Sequence, residues 1–206
     1  MLLWAGLLFI ILGIAALTVD RWVAHFLYDH ISATTHKRLD SITHAAKAGH
    51  WLAAAILALM AAAVARHFGV GGTDVPLLIN YSFAFIVSLT VGSAVLHAIK
   101  LLLGRRRPRD DMEMGLYGFV PFAFNTNFNS FPSGHALTIF CVGVIFTCVW
   151  PMLWPLWFAV AAFLAGVRAL LTAHFISDVL IGGGIGLITG REVLMLGFPG
   201  FAPGWF

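Results

Sequence analysis

Three short groups of residues carry side chains that could do chemistry together. The first is Lys100 with Arg107-Pro108, the second Pro132-Ser133-Gly134-His135, and the third Arg168, His174 and Asp178. Singly, each has a plain structural reading: cations that snorkel to lipid headgroups, a helix start, a packed histidine, a buried ion pair. Together they make the outline of a phosphate site. Lys100, Arg107 and Arg168 supply a positive field for a dianion, and arginine forks add paired hydrogen bonds. Ser133 offers a hydroxyl. Gly134 allows close backbone approach, and its amide at a helix start favours an anion. His174 and Asp178 are four apart, so on a helix they share a face. The carboxylate can then hold one imidazole nitrogen while the other attacks phosphorus. His135 is placed to protonate the leaving group as general acid.

The elements that must position these residues are apolar. Sixty per cent of the 206 residues are hydrophobic and 10% are charged, against about 25% charged in an ordinary soluble domain. With a mean hydropathy of +0.92, this is the composition of a membrane protein. Six segments have the length and flanks of spans: Leu2–Val19, Trp51–Ala65, Pro76–Leu103, His135–Trp150, Leu156–Leu171 and Ile176–Leu196. The second is short and could start nearer Ala45. The expected architecture is all-α: a single domain over 1–206, an integral membrane six-helix bundle. Residues 20–50, with Trp22, Val23, Phe26, Leu27, Leu39 and Ile42 among charges, suit one or two amphipathic helices in the interface. Residues 104–131 form the long polar loop, with Tyr117, Phe119, Phe122, Phe124, Phe128 and Phe131 interleaved with Asn125, Asn127 and Asn129. These aromatics suit an interfacial belt or the entry for an acyl or prenyl chain.

Six spans place both termini on one side. The end of span three, the start of span four, the end of span five and the start of span six then emerge together on the other, where every candidate catalytic residue lies. No Lys or Arg precedes the first apolar segment, which therefore reads as an uncleaved span and not a signal peptide. In the last span Gly182, Gly186 and Gly190 recur every four residues and mark a close helix contact. Cys141 and Cys148 would sit about 10 Å apart on one helix, too far for a disulfide. The histidines at 25, 30, 36, 44 and 50 lack a tight ligand cluster and read as surface residues. His97, three before Lys100, reads as packing or a hydrogen bond. No soluble basic domain surrounds the arginines at 105, 106, 107 and 109, so nucleic acid is a poor partner.

The order Lys100-x6-Arg107-Pro108, Pro132-Ser133-Gly134-His135 and Arg168-x5-His174-x3-Asp178 resembles the type 2 phosphatidic acid phosphatase superfamily, which also holds vanadium haloperoxidases and bacterial non-specific acid phosphatases. The resemblance spans residues 100 to 178, and the six-span layout is similar to the membrane branch. It implies phosphate binding by Lys100, Arg107, Arg168, Ser133 and the Gly134 amide, with His135 as acid, His174 as nucleophile and Asp178 as its partner. It implies no metal and no cofactor. Val167 stands where many members carry a serine before the arginine, which removes one hydroxyl donor. Arg105 and Arg106 either extend the anion field or contact headgroups.

The expected substrate is a lipid phosphate: phosphatidylglycerol phosphate, phosphatidic acid, undecaprenyl diphosphate or a lipid A phosphate. Alternatives left open are transfer of phosphate between lipids, a non-catalytic lipid-phosphate transporter or binder, and a metal-dependent hydrolase. Orientation is contested. Ten of the twelve Lys and Arg fall on the site's side, which a positive-inside count would place in the cytoplasm. The resemblance instead implies a bacterial inner membrane with the site facing the periplasm.

Overall fold

The computed structural model describes residues 1–125 and 128–206; Asn127 of the aromatic loop therefore lies outside the described residues. The chain is all-α, with no strand among the described residues. Among the described residues nine α-helices follow one another: α1 Leu2–Ala16, α2 Asp20–His30, α3 Ala33–Thr43, α4 Ala48–His67, α5 Asp74–Leu103, α6 Pro108–Met114, α7 Gly134–Val149, α8 Trp154–Leu170 and α9 Ile176–Gly197.

Each of the six apolar segments folds as one helix. Among the described residues, four stretches are long and apolar enough to cross a membrane: Ala33–His67, Asp74–Leu103, Pro151–Leu170 and Ile176–Gly197. α1 qualifies only together with α2, from which it is bent by 83°. α7 has 16 residues and is thus about 24 Å long, short of a ~30 Å hydrocarbon core. The expected count of six full spans is therefore met in segments and not in span lengths. α7 is the innermost helix, with nearly every side chain buried. The other helices turn apolar side chains outward, such as Trp4, Ile11, Leu57, Met60 and Phe83. That is stable only against lipid, since helices already satisfy their own backbone polar groups.

The glycine stripe decides how closely the inner helices approach. A Cβ on Gly182 would sit 2.3 Å from the Ser133 carbonyl oxygen, one on Gly186 would sit 2.5 Å from that of Leu137, and one on Gly190 would sit 3.2 Å from Val144. One face of α9 thus lies directly on α7. On another face, Gly184 packs against the backbone of Gly6 while Gly13 of α1 meets Ile181. Without these side chains, the van der Waals contact that joins helices in lipid reaches the backbone itself. The termini meet at one end of the bundle, where the N-terminal ammonium donates to the Phe206 carbonyl at 2.8 Å.

At the opposite end, local signals stop and start the chain. Gly104 ends α5 at φ +47, and a Cβ there would fall 2.5 Å from the Val120 carbonyl oxygen. Pro108 opens α6 at its first position, where a missing N–H costs nothing, and Gly115 closes it in the left-handed region. Ser133 caps α7. The long loop folds back onto Arg105, whose N–H donates to the Phe128 carbonyl at 2.8 Å and whose carbonyl accepts from Ser130 N–H at 3.1 Å. Arg106 N–H donates to the Gly118 carbonyl, and Val120 N–H to that of Gly104. This backbone clip presents Asn129 and Ser130 to the helix ends.

Candidate active site

Four helix ends converge: the C-terminal ends of α5 and α8 and the N-terminal ends of α7 and α9. The Lys100 ammonium, in the last turn of α5, donates to the Asn129 carbonyl. Arg107, just before α6, sends Nε and an Nη to the Asn129 side-chain oxygen at 3.1 and 2.8 Å. Asn129 therefore orients two of the three expected phosphate-binding cations. Burial, followed by the neighbouring Arg109, lowers the Arg107 guanidinium from its ordinary value, yet an arginine remains charged. Arg168 lies in the last turn of α8 and donates to the Thr43 hydroxyl at 3.3 Å. Its Nε is buried and has no hydrogen-bond partner among the described residues.

α7 and α9 are stitched together at the site. Ser133 N–H donates to the Asp178 carbonyl at 2.9 Å, a bond that the bare Cα of Gly182 permits. This seats Ser133 and Gly134 beside the first turn of α9. His135, one residue into α7, has Arg168, His174, Lys47 and Arg107 within electrostatic reach.

His174 is 4% exposed and precedes α9. Its Nδ1 is 2.8 Å from the Ser130 carbonyl oxygen and 3.6 Å from Asp178 Oδ2. The direct partner is thus a backbone carbonyl, where the four-residue spacing pointed to the carboxylate. The physical reason is that Asp178 is already occupied as a helix cap. Its Oδ2 accepts from Phe175 N–H at 2.9 Å and from the Ser130 hydroxyl at 2.5 Å, and Oδ1 accepts from Arg105 at 2.6 Å. Ser130 touches both members of the pair, its carbonyl on the imidazole and its hydroxyl on the carboxylate. Burial pushes the His174 imidazole below its ordinary value, Asp178 opposes this, and Arg107 and Lys100 add to the lowering.

Arg105 turns inward and is fully buried. It bridges Asp178 and Asp20, the first residue of α2, and donates to Ser177 at 2.7 Å. Burial would lower this guanidinium, but the two carboxylates outweigh it and raise it. Arg106 lies over the Phe128 ring at 4.8 Å. His97 is exposed and bonds to the Ser93 carbonyl one turn back. Cys141 and Cys148 are buried and free. An outer tie joins α2 to α6, where Arg21 and His25 both bond to the buried Asp111.

The structure brings the expected cations and histidines to the same helix ends, and beside them it places Asn129, Ser130, Thr43, Asp20 and Ser177, which spacing did not single out as site residues. Asn129 and Ser130 do lie just ahead of Pro132-Ser133-Gly134-His135, where a buried serine next to a motif is a usable signal. Nothing in the sequence links Asp20 to Arg105 across 85 positions.

The PAP2 superfamily matches residues 77–198, well over half of the chain and all three residue groups. Lipid A 1-phosphatase from Rhizobium etli is 32% identical over 107 residues, which are 52% of this chain and 46% of that protein. Lipid A 1-phosphatase from Rhizobium johnstonii is 32% identical over the same length, 52% of this chain and 44% of that protein. In these matches the chain aligns with a little under half the length of its relatives. A crystal structure of a transmembrane PAP2-type phosphatidylglycerolphosphate phosphatase from Bacillus subtilis superposes with a TM-score of 0.64 at 20% identity, over 100% of this chain and 98% of that one. That likeness shows a shared transmembrane fold.

Proposed function

The chain belongs to the PAP2 superfamily, and on that premise we propose that it is a membrane phosphatase that hydrolyses a lipid phosphate through a phosphohistidine on His174. The observation that carries this reading is the imidazole itself. Its Nδ1 is held by the Ser130 carbonyl, with the Asp178 carboxylate behind it, which fixes the tautomer and leaves Nε2 as the attacking nitrogen. A binding site alone has no use for an oriented, buried nucleophile.

In the first step His174 Nε2 attacks phosphorus and the bond to the lipid oxygen breaks. His135 gives its proton to that oxygen. Lys100, Arg107 and Arg168, with the Ser133 hydroxyl and the Gly134 amide, stabilise the charge on the equatorial oxygens. In the second step His135 takes a proton from water, the hydroxide attacks phosphorus, and the P–N bond breaks to release inorganic phosphate and free His174. Lys100, Arg168, His174 and the Ser133-Gly134-His135 group come from four different helix ends, and the convergence of those ends supports this division of roles. An alcohol acceptor in place of water would make the same chemistry a transfer between lipids.

The relatives named as lipid A 1-phosphatases and the structural neighbour named as a phosphatidylglycerolphosphate phosphatase support a bacterial lipid phosphate as substrate. On this reading the site faces the periplasm from an inner membrane. The excess of basic residues on that side does not oppose this, because several are engaged within the protein. Arg21 pairs with Asp111, Arg105 is buried between carboxylates, and Lys100, Arg107 and Arg168 belong to the site.

The test is phosphate release from a panel of purified lipid phosphates in detergent, comparing wild type with His174→Ala, with and without chelator. Release that persists in chelator and is lost in the variant is expected. Release that survives His174→Ala removes it as the nucleophile, and loss in chelator moves the reaction to a metal. Unaltered lipid crossing vesicles without phosphate release would favour a transporter.

A further inference from the structure

We propose that Asp20, acting through Arg105, is a positioning residue for the His174–Asp178 pair, so that the bend after the first span is wired into the reacting centre; this rests on the phosphatase reading above. Arg105 is 0% exposed, and both of its terminal nitrogens are committed to partners within the protein. Its guanidinium is held as a fork. One Nη donates to Asp178 Oδ1 at 2.6 Å and to the Ser177 hydroxyl at 2.7 Å, and the other to Asp20 Oδ2 at 2.9 Å. Phe175, Phe119 and Phe131 surround it, with ring centroids 4.2, 4.9 and 5.9 Å from the guanidinium carbon. The cation is thus shielded from solvent, and its direction is set by its two carboxylates.

Asp20 does more than neutralise. It accepts from the Ser177 amide at 3.0 Å and from the Ser177 hydroxyl. Asp178 accepts from the Phe175 amide in the same helix turn. Two carboxylates, one from α2 and one from α9, therefore cap a single helix start, and Arg105 joins them. Asp20 keeps one arm of the guanidinium away from Asp178. Without that charge both arms would turn to Asp178, a two-toothed ion pair being the stronger arrangement. The carboxylate would then be more fully neutralised and drawn off His174 and Ser130. The other charged or titratable groups within electrostatic reach of His174 are Lys100 from α5, Arg107 before α6 and His135 from α7, with Arg168 of α8 next to His135. Among the described residues the hydrogen-bond and ion-pair partners of Asp20 are Arg105 and Ser177 and none of these groups.

Asp20→Asn in the full chain, purified in detergent, is expected to lower kcat about 10- to 100-fold, the fold-change that corresponds to weakening one hydrogen bond between charged groups. KM should stay within about twofold, since the phosphate-binding side chains are untouched. The acidic limb of kcat should move to lower pH, because a more neutralised Asp178 supports the imidazolium less. Ser177→Ala removes hydrogen bonds but no charge and should shift both quantities less, in the same direction. An NMR titration of 15N-histidine protein reads His174 without turnover, and its midpoint should fall in Asp20→Asn. Wild-type kcat in Asp20→Asn, or a loss explained by less folded protein with limb and midpoint unmoved, overturns the proposal. If Asp20→Asn does not fold, an unchanged Ser177→Ala decides against it in the same way. A wild type inactive on every lipid phosphate, with the midpoint still shifted by Asp20→Asn, would instead strike the phosphatase reading and leave the positioning role standing.

Discussion

Gly182 is the point at which helix packing and chemistry meet, and Gly182→Ala tests whether the site depends on that contact. The added methyl would lie 2.3 Å from the Ser133 carbonyl oxygen and 3.1 Å from the Ser133 amide nitrogen. Both are backbone atoms of a helix cap and cannot rotate aside. Ordinary contact begins near 3.4–3.5 Å, so α7 and α9 must part by about 1 Å at this end. The Ser133 N–H bond to the Asp178 carbonyl, now 2.9 Å, would open, and Ser133, Gly134 and His135 would withdraw from His174. A misplacement of about 1 Å costs on the order of 100-fold in rate, and overpacking costs about 1–3 kcal/mol in stability. Gly190→Ala is the matched control. There a Cβ would first meet the Val144 side chain at 3.2 Å, about two turns beyond Gly182 and further from the site, and less than about threefold loss is expected. The assay is steady-state phosphate release from a detergent-solubilised lipid phosphate, with thermal unfolding of each variant measured alongside. Wild-type kcat in Gly182→Ala, or equal losses in the two variants, would refute the reasoning.

Two further outcomes follow from the geometry. Ser130→Ala keeps the carbonyl that holds His174 but deletes the hydroxyl donated to Asp178. A hydrogen bond to a charged group contributes about 1.5–3 kcal/mol, so kcat should fall roughly 10- to 100-fold with KM little changed; an unaffected kcat would confine Ser130 to its backbone role. The pH profile of kcat/KM reports the free enzyme. Burial holds the His174 imidazole below its ordinary 6.5, and only the neutral ring can attack. Activity should therefore persist below pH 6.5 and decline as pH falls through the lowered value, and an acidic limb above 6.5 would contradict the assigned environment.

The all-α membrane class, the six apolar segments and the two helices after the first span were legible because each depends on local composition and period. The second segment folds from Ala48, close to the earlier start that its shortness suggested. Length was less legible. α7 is shorter than a full span, since a helix sheathed in protein is not obliged to match the thickness of the bilayer, while α1, which turns apolar side chains outward, needs its bent continuation.

The sequence by itself determined which residue types gather at one end of the bundle. The three motifs sit at successive segment ends, and alternating spans bring those ends to one face whatever the packing. It also determined the glycine interval on α9, because a period of four residues is a property of the helix. Only the tertiary structure decided who holds whom. His174 leans on a carbonyl 44 residues away, Asp178 is claimed by Arg105, and Arg105 is shared with Asp20, 85 residues upstream. These links are contacts between elements distant in the chain, made in a dry interior where each buried charge and polar group must find a partner. Such pairings depend on three-dimensional proximity, and spacing along one chain does not encode it.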